Sequence, residues 1–213
     1  MAAAGSGERL GAGGPKALVE LAGRPLLDWS LDALRASQRI GPIVVAVPPG
    51  EEAQAQRDGV QVVAGGASRS ESVAAAFAQL DAEVVVVHDA ARPLVTAELV
   101  DAVIDDLLGD PEAGAVVAAA PVTDTIKQVA RGMEVDRTLD RSSLWAAQTP
   151  QAFRAEALRE ALASTALLAQ ATDDAMLVER IGGRVLLHEA PAENVKVTTP
   201  LDLRVAELLL AQR

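Results

Sequence analysis

Residues 84–93 read Val84-Val85-Val86-Val87-His88-Asp89-Ala90-Ala91-Arg92-Pro93. Four consecutive valines without polar alternation are typical of a strand that is buried on both faces of a sheet. In open α/β sheets, ligands bind beyond the carboxyl ends of such strands. An Asp at this place suits a Mg²⁺ ion beside a triphosphate. The competing interpretation is a strand-ending turn with a solvated Asp–Arg pair.

Short apolar runs alternate with helical patterns along the rest of the chain. Strands are predicted at Ile43–Val47, Val60–Val63, Val84–Val87, Ala115–Ala120 and Val185–His188, with a shorter one at Val195–Val197. Helices are predicted at Arg24–Ala36, Ser70–Leu80, Thr96–Leu108, Arg154–Ala169, Asp173–Ile181 and Leu201–Ala211. This alternation implies an α/β fold, with a Rossmann-like, mostly parallel sheet covered by helices. The length suits a single domain over residues 1–213.

Residues 123–144 interrupt the alternation. Ile126–Val129 and Val135–Leu139 flank Arg131-Gly132 in an otherwise polar segment, which predicts a protruding β-hairpin. Two interpretations stay open from the pattern alone: a surface hairpin without function, or an arm that reaches a partner subunit.

The composition excludes several classes of function. Nineteen basic and 30 acidic residues give a net charge of −11, which argues against a general nucleic-acid binder or an anionic-membrane binder. The chain has no cysteine, so disulfides and cysteine nucleophiles are excluded. No apolar run is long enough to predict a membrane span, and no secretory signal is recognisable. We therefore expect a cytoplasmic protein.

The first residues form a Gly-rich loop that contains Gly5 and Gly7 and runs on to Pro15-Lys16. Such a loop can present backbone N–H groups to phosphate oxygens. Leu10 stands where the dinucleotide fingerprint needs its third glycine, and Lys16 lacks the Walker surroundings. In nucleotide-binding α/β folds this loop normally follows a strand, for which residues 1–4 leave little room. We expect an upstream start to supply that strand; the alternative is a fold that tolerates its loss.

Several further motifs follow in order along the chain. They are Ala3-Ala4-Gly5-Ser6-Gly7-Glu8-Arg9 with Pro15-Lys16, His88-Asp89-Ala90-Ala91-Arg92-Pro93, Ala120-Pro121-Val122 with Asp124-Thr125-Ile126-Lys127, Asp140-Arg141, Gln148-Thr149-Pro150-Gln151, Thr172-Asp173-Asp174 and Asn194-Val195-Lys196-Val197-Thr198. No single motif is decisive. The ordered set resembles the 2-C-methyl-D-erythritol 4-phosphate cytidylyltransferases, which have a nucleotide-diphospho-sugar transferase type of fold.

The resemblance implies roles for individual residues. It implies catalytic cations at Arg9 and Lys16, which act at the α-phosphate of CTP, and at Arg141 and Lys196, which position methylerythritol phosphate. It implies a Mg²⁺ cofactor near Asp89. It implies further substrate-binding positions, which are Ala3, Ala4, Gly5, Gly7, Gly66, Ser72, Asp89, Arg92, Thr125, Thr149 and Thr172. It also implies a homodimer in which the arm, residues 123–144, helps to complete the neighbour's site.

The implied reaction transfers CMP from CTP to 2-C-methyl-D-erythritol 4-phosphate in non-mevalonate isoprenoid biosynthesis. A phosphate monoester has a second pKa near 6, so the nucleophile needs no general base. About six cations would then converge on one cleft: Arg9, Lys16, Arg92, Lys127, Arg141 and Lys196. The alternatives are a cytidylyltransferase for another polyol phosphate, such as ribitol 5-phosphate, and a non-catalytic nucleotide-binding relative.

Overall fold

A computed structural model describes residues 1–5, 7, 10–11, 14–163 and 171–213 of the chain. Within these residues, the strands are β1 (Glu20–Leu21), β2 (Arg24–Pro25), β3 (Ile43–Val47), β4 (Val60–Ala64), β5 (Val84–Val87), β6 (Ala113–Pro121), β7 (Lys127–Val129), β8 (Val135–Thr138), β9 (Trp145–Arg154) and β10 (Arg184–Glu189). The α-helices are α1 (Leu26–Ala36), α2 (Arg69–Phe77), α3 (Ala97–Gly109), α4 (Ala155–Leu162), α5 (Ala175–Arg180) and α6 (Pro200–Leu210). The predicted α/β alternation is therefore confirmed.

The main sheet has the strand order β10-β6-β9-β5, and β3 and β4 form a separate parallel pair. The first three residues lie between these two groups. Ala2 forms parallel bridges to Ala46 in β3 and to Asp89 just after β5. Its amide donates to the His88 carbonyl at 2.8 Å, and its carbonyl accepts from the Ala90 amide at 3.0 Å. A very short segment around Ala2 therefore lies where a strand before the Gly-rich loop would lie, although the sequence left little room for such a strand.

Strand β9 was not predicted from the sequence. It lies between the predicted strands β5 and β6 and pairs antiparallel with both, so it runs in the opposite direction to its two neighbours. Its inner residues include Gln148, Thr149 and Gln151, all buried, and this polar content hides the strand from an apolar-run criterion.

Other boundaries differ from prediction in smaller ways. Val195–Val197 is not a strand; it forms an extended connection that is tied to the sheet region by the Val197 amide, which donates to the Ala91 carbonyl at 2.8 Å. The predicted helix at Arg154–Ala169 is described as Ala155–Leu162, and residues 164–170 lie outside the described residues. Two valine-rich strands, β3 and β5, have the predicted bounds.

Helices cover the main sheet on both faces. One face packs Phe153 of β9 against Leu158 of α4 and Leu177 of α5. The other face packs Val116 of β6 against α3, through residues such as Val103. Because the chain has four aromatic residues, this core consists mainly of Ala, Val and Leu side chains.

The segment between β6 and β9 forms the hairpin that the sequence indicated. Strands β7 and β8 pair antiparallel, and all of their residues are exposed. Gly132 in the turn has a φ of +67°, a left-handed conformation that glycine adopts without steric cost. Among the described residues, no helix has the length and apolar character needed to cross a membrane.

Candidate active site

A cavity of about 350 Å³ opens where the Ala2 segment and β5 end. Its walls come from the Gly-rich loop, the start of α2, the residues after β5, and the extended connection near Lys196. Four separate segments of sequence therefore meet at the carboxyl edge of the sheet, which is where an open α/β sheet binds ligands.

The Gly-rich loop is shaped by close backbone contacts. Gly7 has a φ of +73°, and a Cβ atom there would lie 2.7 Å from the Gly14 carbonyl oxygen. The Lys16 amide donates to the Gly5 carbonyl at 3.0 Å, which folds the loop back on itself. Lys16 then begins a short 3-10 turn, Lys16–Leu18, and its side chain lines the cavity.

The second wall is the start of helix α2. Ser68 is the N-cap, and its hydroxyl accepts from the Glu71 amide. The Ser72 hydroxyl accepts from the Gly66 amide at 3.1 Å and donates to the Ser68 carbonyl at 2.9 Å. A Cβ on Gly66 would lie 2.3 Å from Cβ of Glu71, so only glycine fits without displacement. Ser72 therefore fixes the backbone of this wall.

Asp89 stands between two cations. Arg69 Nε donates to Oδ1 of Asp89 at 2.9 Å, and Lys196 Nζ donates to Oδ2 at 2.7 Å. Burial alone would raise the pKa of Asp89, but the charges and hydrogen bonds of Arg69 and Lys196 outweigh it and hold that pKa well below its usual range. The carboxylate is therefore ionised at neutral pH.

A second cavity, of about 210 Å³, adjoins the first. Its lining includes Gln148, Gln151, Thr172 and Asp173, which are contributed by β9 and by the segment before α5. Both cavities are lined by the same three charged residues, Arg69, Asp89 and Lys196. The two spaces therefore meet at one charged boundary, as a reaction between two bound molecules requires.

Beneath this boundary lies a buried polar relay. The Asp89 amide donates to the Thr149 hydroxyl at 3.1 Å, and that hydroxyl lies 3.0 Å from Nδ1 of His88. His88 Nε2 lies 3.3 Å from the Arg92 carbonyl oxygen, which can only accept, so Nε2 carries the proton and Nδ1 accepts from Thr149. The relay holds the backbone of Asp89 at the end of β5.

The guanidinium of Arg92 donates hydrogen bonds to backbone carbonyl groups. Its Nη1 donates to the Asn194 carbonyl at 2.8 Å, and its Nη2 donates to the Ala147 carbonyl at 3.5 Å. Burial lowers the pKa of this guanidinium from its ordinary value. Arg92 lines the second cavity and links β9 to the connection that carries Lys196.

The structure brings together most of the residues that the sequence singled out. The first cavity is lined by Ala3, Ala4, Gly5, Gly7, Lys16, Gly66, Ser72, Asp89 and Lys196. The second is lined by Asp89, Arg92, Thr149, Thr172 and Lys196. Arg9 lies outside the described residues.

Two of the predicted site residues lie outside both cavities. Thr125 and Arg141 belong to the hairpin segment and line neither cavity. Arg141 donates to the Thr123 carbonyl, and Lys127 Nζ donates to the Thr138 hydroxyl at 2.7 Å. Lys127 and Arg141 are thus held on the hairpin of their own copy, so the expected convergence of six cations on one cleft requires a second copy of the chain and stays a prediction.

Arg69 and Asp174 are two site residues that the sequence analysis missed. Arg69 Nη1 donates to Oδ2 of Asp174, whose side chain is fully buried. The sequence analysis placed Asp174 in the Thr172-Asp173-Asp174 motif, and it singled out Gly66 and Ser72 on either side of Arg69. It gave neither Arg69 nor Asp174 a role in the site. One signal in the sequence could have found Arg69. A cation in the first turn of a helix is disfavoured by the helix dipole, which indicates that Arg69 interacts with groups outside its own helix.

Few of the described side chains at this site could bind a divalent metal ion. Over the described ranges, no group of three or more His, Cys, Asp or Glu side chains is arranged to hold a metal ion. Of the residues that the structure describes around the first cavity, Asp89 is the only acidic one. Mg²⁺ is commonly bound by one or two carboxylates together with substrate phosphates, so a single carboxylate fits an ion that arrives with a triphosphate.

Comparisons with known proteins agree on one family. The family profile described as "IspD: 2-C-methyl-D-erythritol 4-phosphate cytidylyltransferase" matches residues 1–212. A 2-C-methyl-D-erythritol 4-phosphate cytidylyltransferase of Saccharopolyspora erythraea is 46% identical, covering 98% of this chain and 96% of the relative. One of Frankia casuarinae is 48% identical over 99% of this chain and 79% of its own length.

Solved structures give the same result. The crystal structure of the Thermus thermophilus enzyme of this name has a TM-score of 0.80 at 37% identity, covering 92% of this chain and 94% of that one. The Francisella tularensis enzyme has a TM-score of 0.82 at 31% identity, with 97% and 95% coverage. This chain therefore belongs to the 2-C-methyl-D-erythritol 4-phosphate cytidylyltransferase family.

Proposed function

We propose that this chain carries out the reaction of its family in the two cavities that meet at Asp89. CMP is transferred from CTP to 2-C-methyl-D-erythritol 4-phosphate, which gives 4-diphosphocytidyl-2-C-methyl-D-erythritol and pyrophosphate. The observation that carries this assignment is the shared boundary of Arg69, Asp89 and Lys196 between the two cavities. CTP would occupy the larger one and the polyol phosphate the smaller one.

The bond changes are simple. An oxygen of the monoester phosphate attacks the α-phosphorus of CTP, the bond from that phosphorus to the bridging oxygen breaks, and pyrophosphate leaves with the electron pair. The attacking phosphate is mostly a dianion at pH 7, so no proton has to be removed from it. The barrier comes from bringing two anions together and from charge on the leaving group, which calls for positioned cations.

Lys16 and Lys196 are the described cations best placed for this work. Lys16 follows the Gly-rich loop and lines the nucleotide cavity, where it would stabilise charge at the α-phosphate. Lys196 lies at the boundary and would hold the incoming phosphate. Arg9, in the same loop, would join Lys16. Gly66 and Ser72 shape the wall that would accept the base, and Ala3 and Ala4 line the same cavity.

Mg²⁺ is the cofactor that we propose for this site. Asp89 would hold it together with the triphosphate, and when bound it would neutralise phosphate charge. The support is the chemistry of the donor set, which is a single ionised carboxylate at the cavity wall.

We also propose a homodimer that forms through the hairpin, residues 123–144. Three large apolar side chains of the hairpin are exposed, and Met133 at its turn is 87% exposed. Such a surface favours burial against another molecule. In a dimer, Thr125 and Arg141 of one copy would reach the cleft of the other. The reaction would take place in the cytoplasm, where CTP is made.

The experiment is an assay of pyrophosphate release from CTP and Mg²⁺ with 2-C-methyl-D-erythritol 4-phosphate. Parallel reactions contain ribitol 5-phosphate, or ATP, GTP or UTP in place of CTP. We expect release only with CTP and the methylerythritol phosphate. Release with ribitol 5-phosphate alone would keep the chemistry and change the substrate, whereas no release with any pair would support a non-catalytic nucleotide-binding relative.

A further inference from the structure

We propose that Arg69 is a positioning residue for this cytidylyl transfer, and the proposal rests on the function proposed above. Arg69 fixes the carboxylate of Asp89 and, through it, the ammonium of Lys196, at the boundary of the two cavities. Asp174 in turn fixes Arg69.

The geometry gives Arg69 two separate attachments. Its Nε donates to Oδ1 of Asp89 at 2.9 Å, and its Nη1 donates to Oδ2 of Asp174. The two carboxylates belong to different parts of the chain, one after β5 and the other at the start of α5. A planar guanidinium can satisfy both at once, whereas a lysine ammonium offers a single point charge.

The position of Arg69 costs stability unless it is compensated. Arg69 is the first residue of α2, where the helix dipole disfavours a cation, and its side chain is only 25% exposed. The compensation is a cluster of four formal charges, in which Arg69 and Lys196 balance Asp89 and Asp174. The result is an Asp89 carboxylate held from one side by Arg69, so that its other oxygen faces Lys196.

The exposure of Lys196 makes its position depend on Asp89. The side chain of Lys196 is 43% exposed, and the hydrogen bond from its Nζ to Asp89 holds its ammonium group in place. If Arg69 is removed, Asp89 can rotate and carry the Lys196 ammonium with it. A misplacement of about 1 Å in a catalytic group can lower a rate by roughly a hundredfold. Arg69 acts through these groups, so its loss should change the rate more than the binding of CTP.

The test is the steady-state kinetics of the full-length protein carrying Arg69→Gln, with pyrophosphate release as readout. We expect kcat to fall about 10- to 100-fold while KM for CTP stays within about threefold. Arg69→Lys should recover part of kcat because it returns the charge without the second attachment. Asp174→Asn should also lower kcat, and should cost little further in the Arg69→Gln background, because both changes break the same link.

Arg57→Gln is the matched control. Arg57 Nε donates to Asp28 Oδ1 at 2.6 Å, and its side chain is likewise 25% exposed, but it lines neither cavity. It should leave kcat unchanged. An unchanged kcat in Arg69→Gln would overturn the proposal, as would a raised KM for CTP with normal kcat, which would assign Arg69 to the support of the α2 wall. If the unsubstituted protein releases no pyrophosphate, both the proposed reaction and the positioning role of Arg69 are wrong. If the unsubstituted protein is active, the kinetics of the Arg69 variants test the positioning role alone.

Discussion

The Thr149 hydroxyl lies 3.0 Å from Nδ1 of His88, and both side chains are buried directly beneath Asp89. The same hydroxyl accepts from the Asp89 amide, so one threonine connects a neutral imidazole to the backbone of the central acidic residue. The relay depends on His88 remaining unprotonated at Nδ1.

We predict that this relay makes stability depend on pH. Burial lowers the pKa of His88 from 6.5 to about 4. Between these values the unfolded chain binds a proton and the folded chain does not, so the free energy of unfolding falls as pH falls from 6.5 towards 4. The limiting slope for one group is about 1.4 kcal/mol per pH unit. Denaturant unfolding at several pH values between 5 and 7 measures it.

The control for this prediction is His88→Asn, which keeps an acceptor near Thr149 but does not titrate in this range. His188 is present in both proteins and cancels in the comparison. The slope between pH 5 and 6.5 should be smaller in the variant. Equal slopes in both proteins would mean that His88 is not the group responsible.

Lys16→Ala and Lys196→Ala should each nearly abolish turnover without unfolding the protein. Removal of one group that stabilises transition-state charge costs on the order of 3 kcal/mol, or a hundredfold or more in rate. Thermal melts of the variants check the fold, and Arg184→Ala is the control because Arg184 begins β10, pairs with Asp110 and lines neither cavity. Loss of cooperative melting in a lysine variant would give that lysine a structural role instead.

Gly66→Ala should raise KM for CTP. The new Cβ would lie 2.3 Å from Cβ of Glu71, so the start of α2 has to move, and with it the wall that Ser72 holds. Gly109→Ala is the matched control, since nothing lies within 4 Å of a Cβ there. The two variants are compared by steady-state kinetics over a range of CTP concentrations. A normal KM in Gly66→Ala would show that the wall can shift without affecting the nucleotide.

Arg141 should act across a dimer. Lys16→Ala and Arg141→Ala subunits, each inactive alone, should regain part of the activity when they are mixed, because a heterodimer contains one cleft with both residues intact. Differently tagged subunits, purified in two steps, show whether heterodimers have formed. Heterodimers that form and stay inactive would place Arg141 in its own subunit's function or in folding.

The sequence by itself determined the α/β class, because continuous apolar runs such as Ile43–Val47 and Val84–Val87 are readable without any partner. It also determined the family, through an ordered set of short motifs, and the position of Asp89 after a buried strand. The hairpin was readable from two short apolar runs around Arg131-Gly132.

Only the tertiary structure decided how these parts meet. Strand β9 has Gln148, Thr149 and Gln151 in its middle, which interrupt any apolar run, so its pairing with β5 and β6 and not its own pattern identifies it as a strand. The role of Arg69 depends on Asp89 and Asp174, which lie 20 and 105 residues further along the chain. Hydrogen bonds and ion pairs between distant residues leave no periodic trace in a sequence, because they depend on where the backbone brings each side chain. The charged boundary between the two cavities is therefore a property of the folded chain alone.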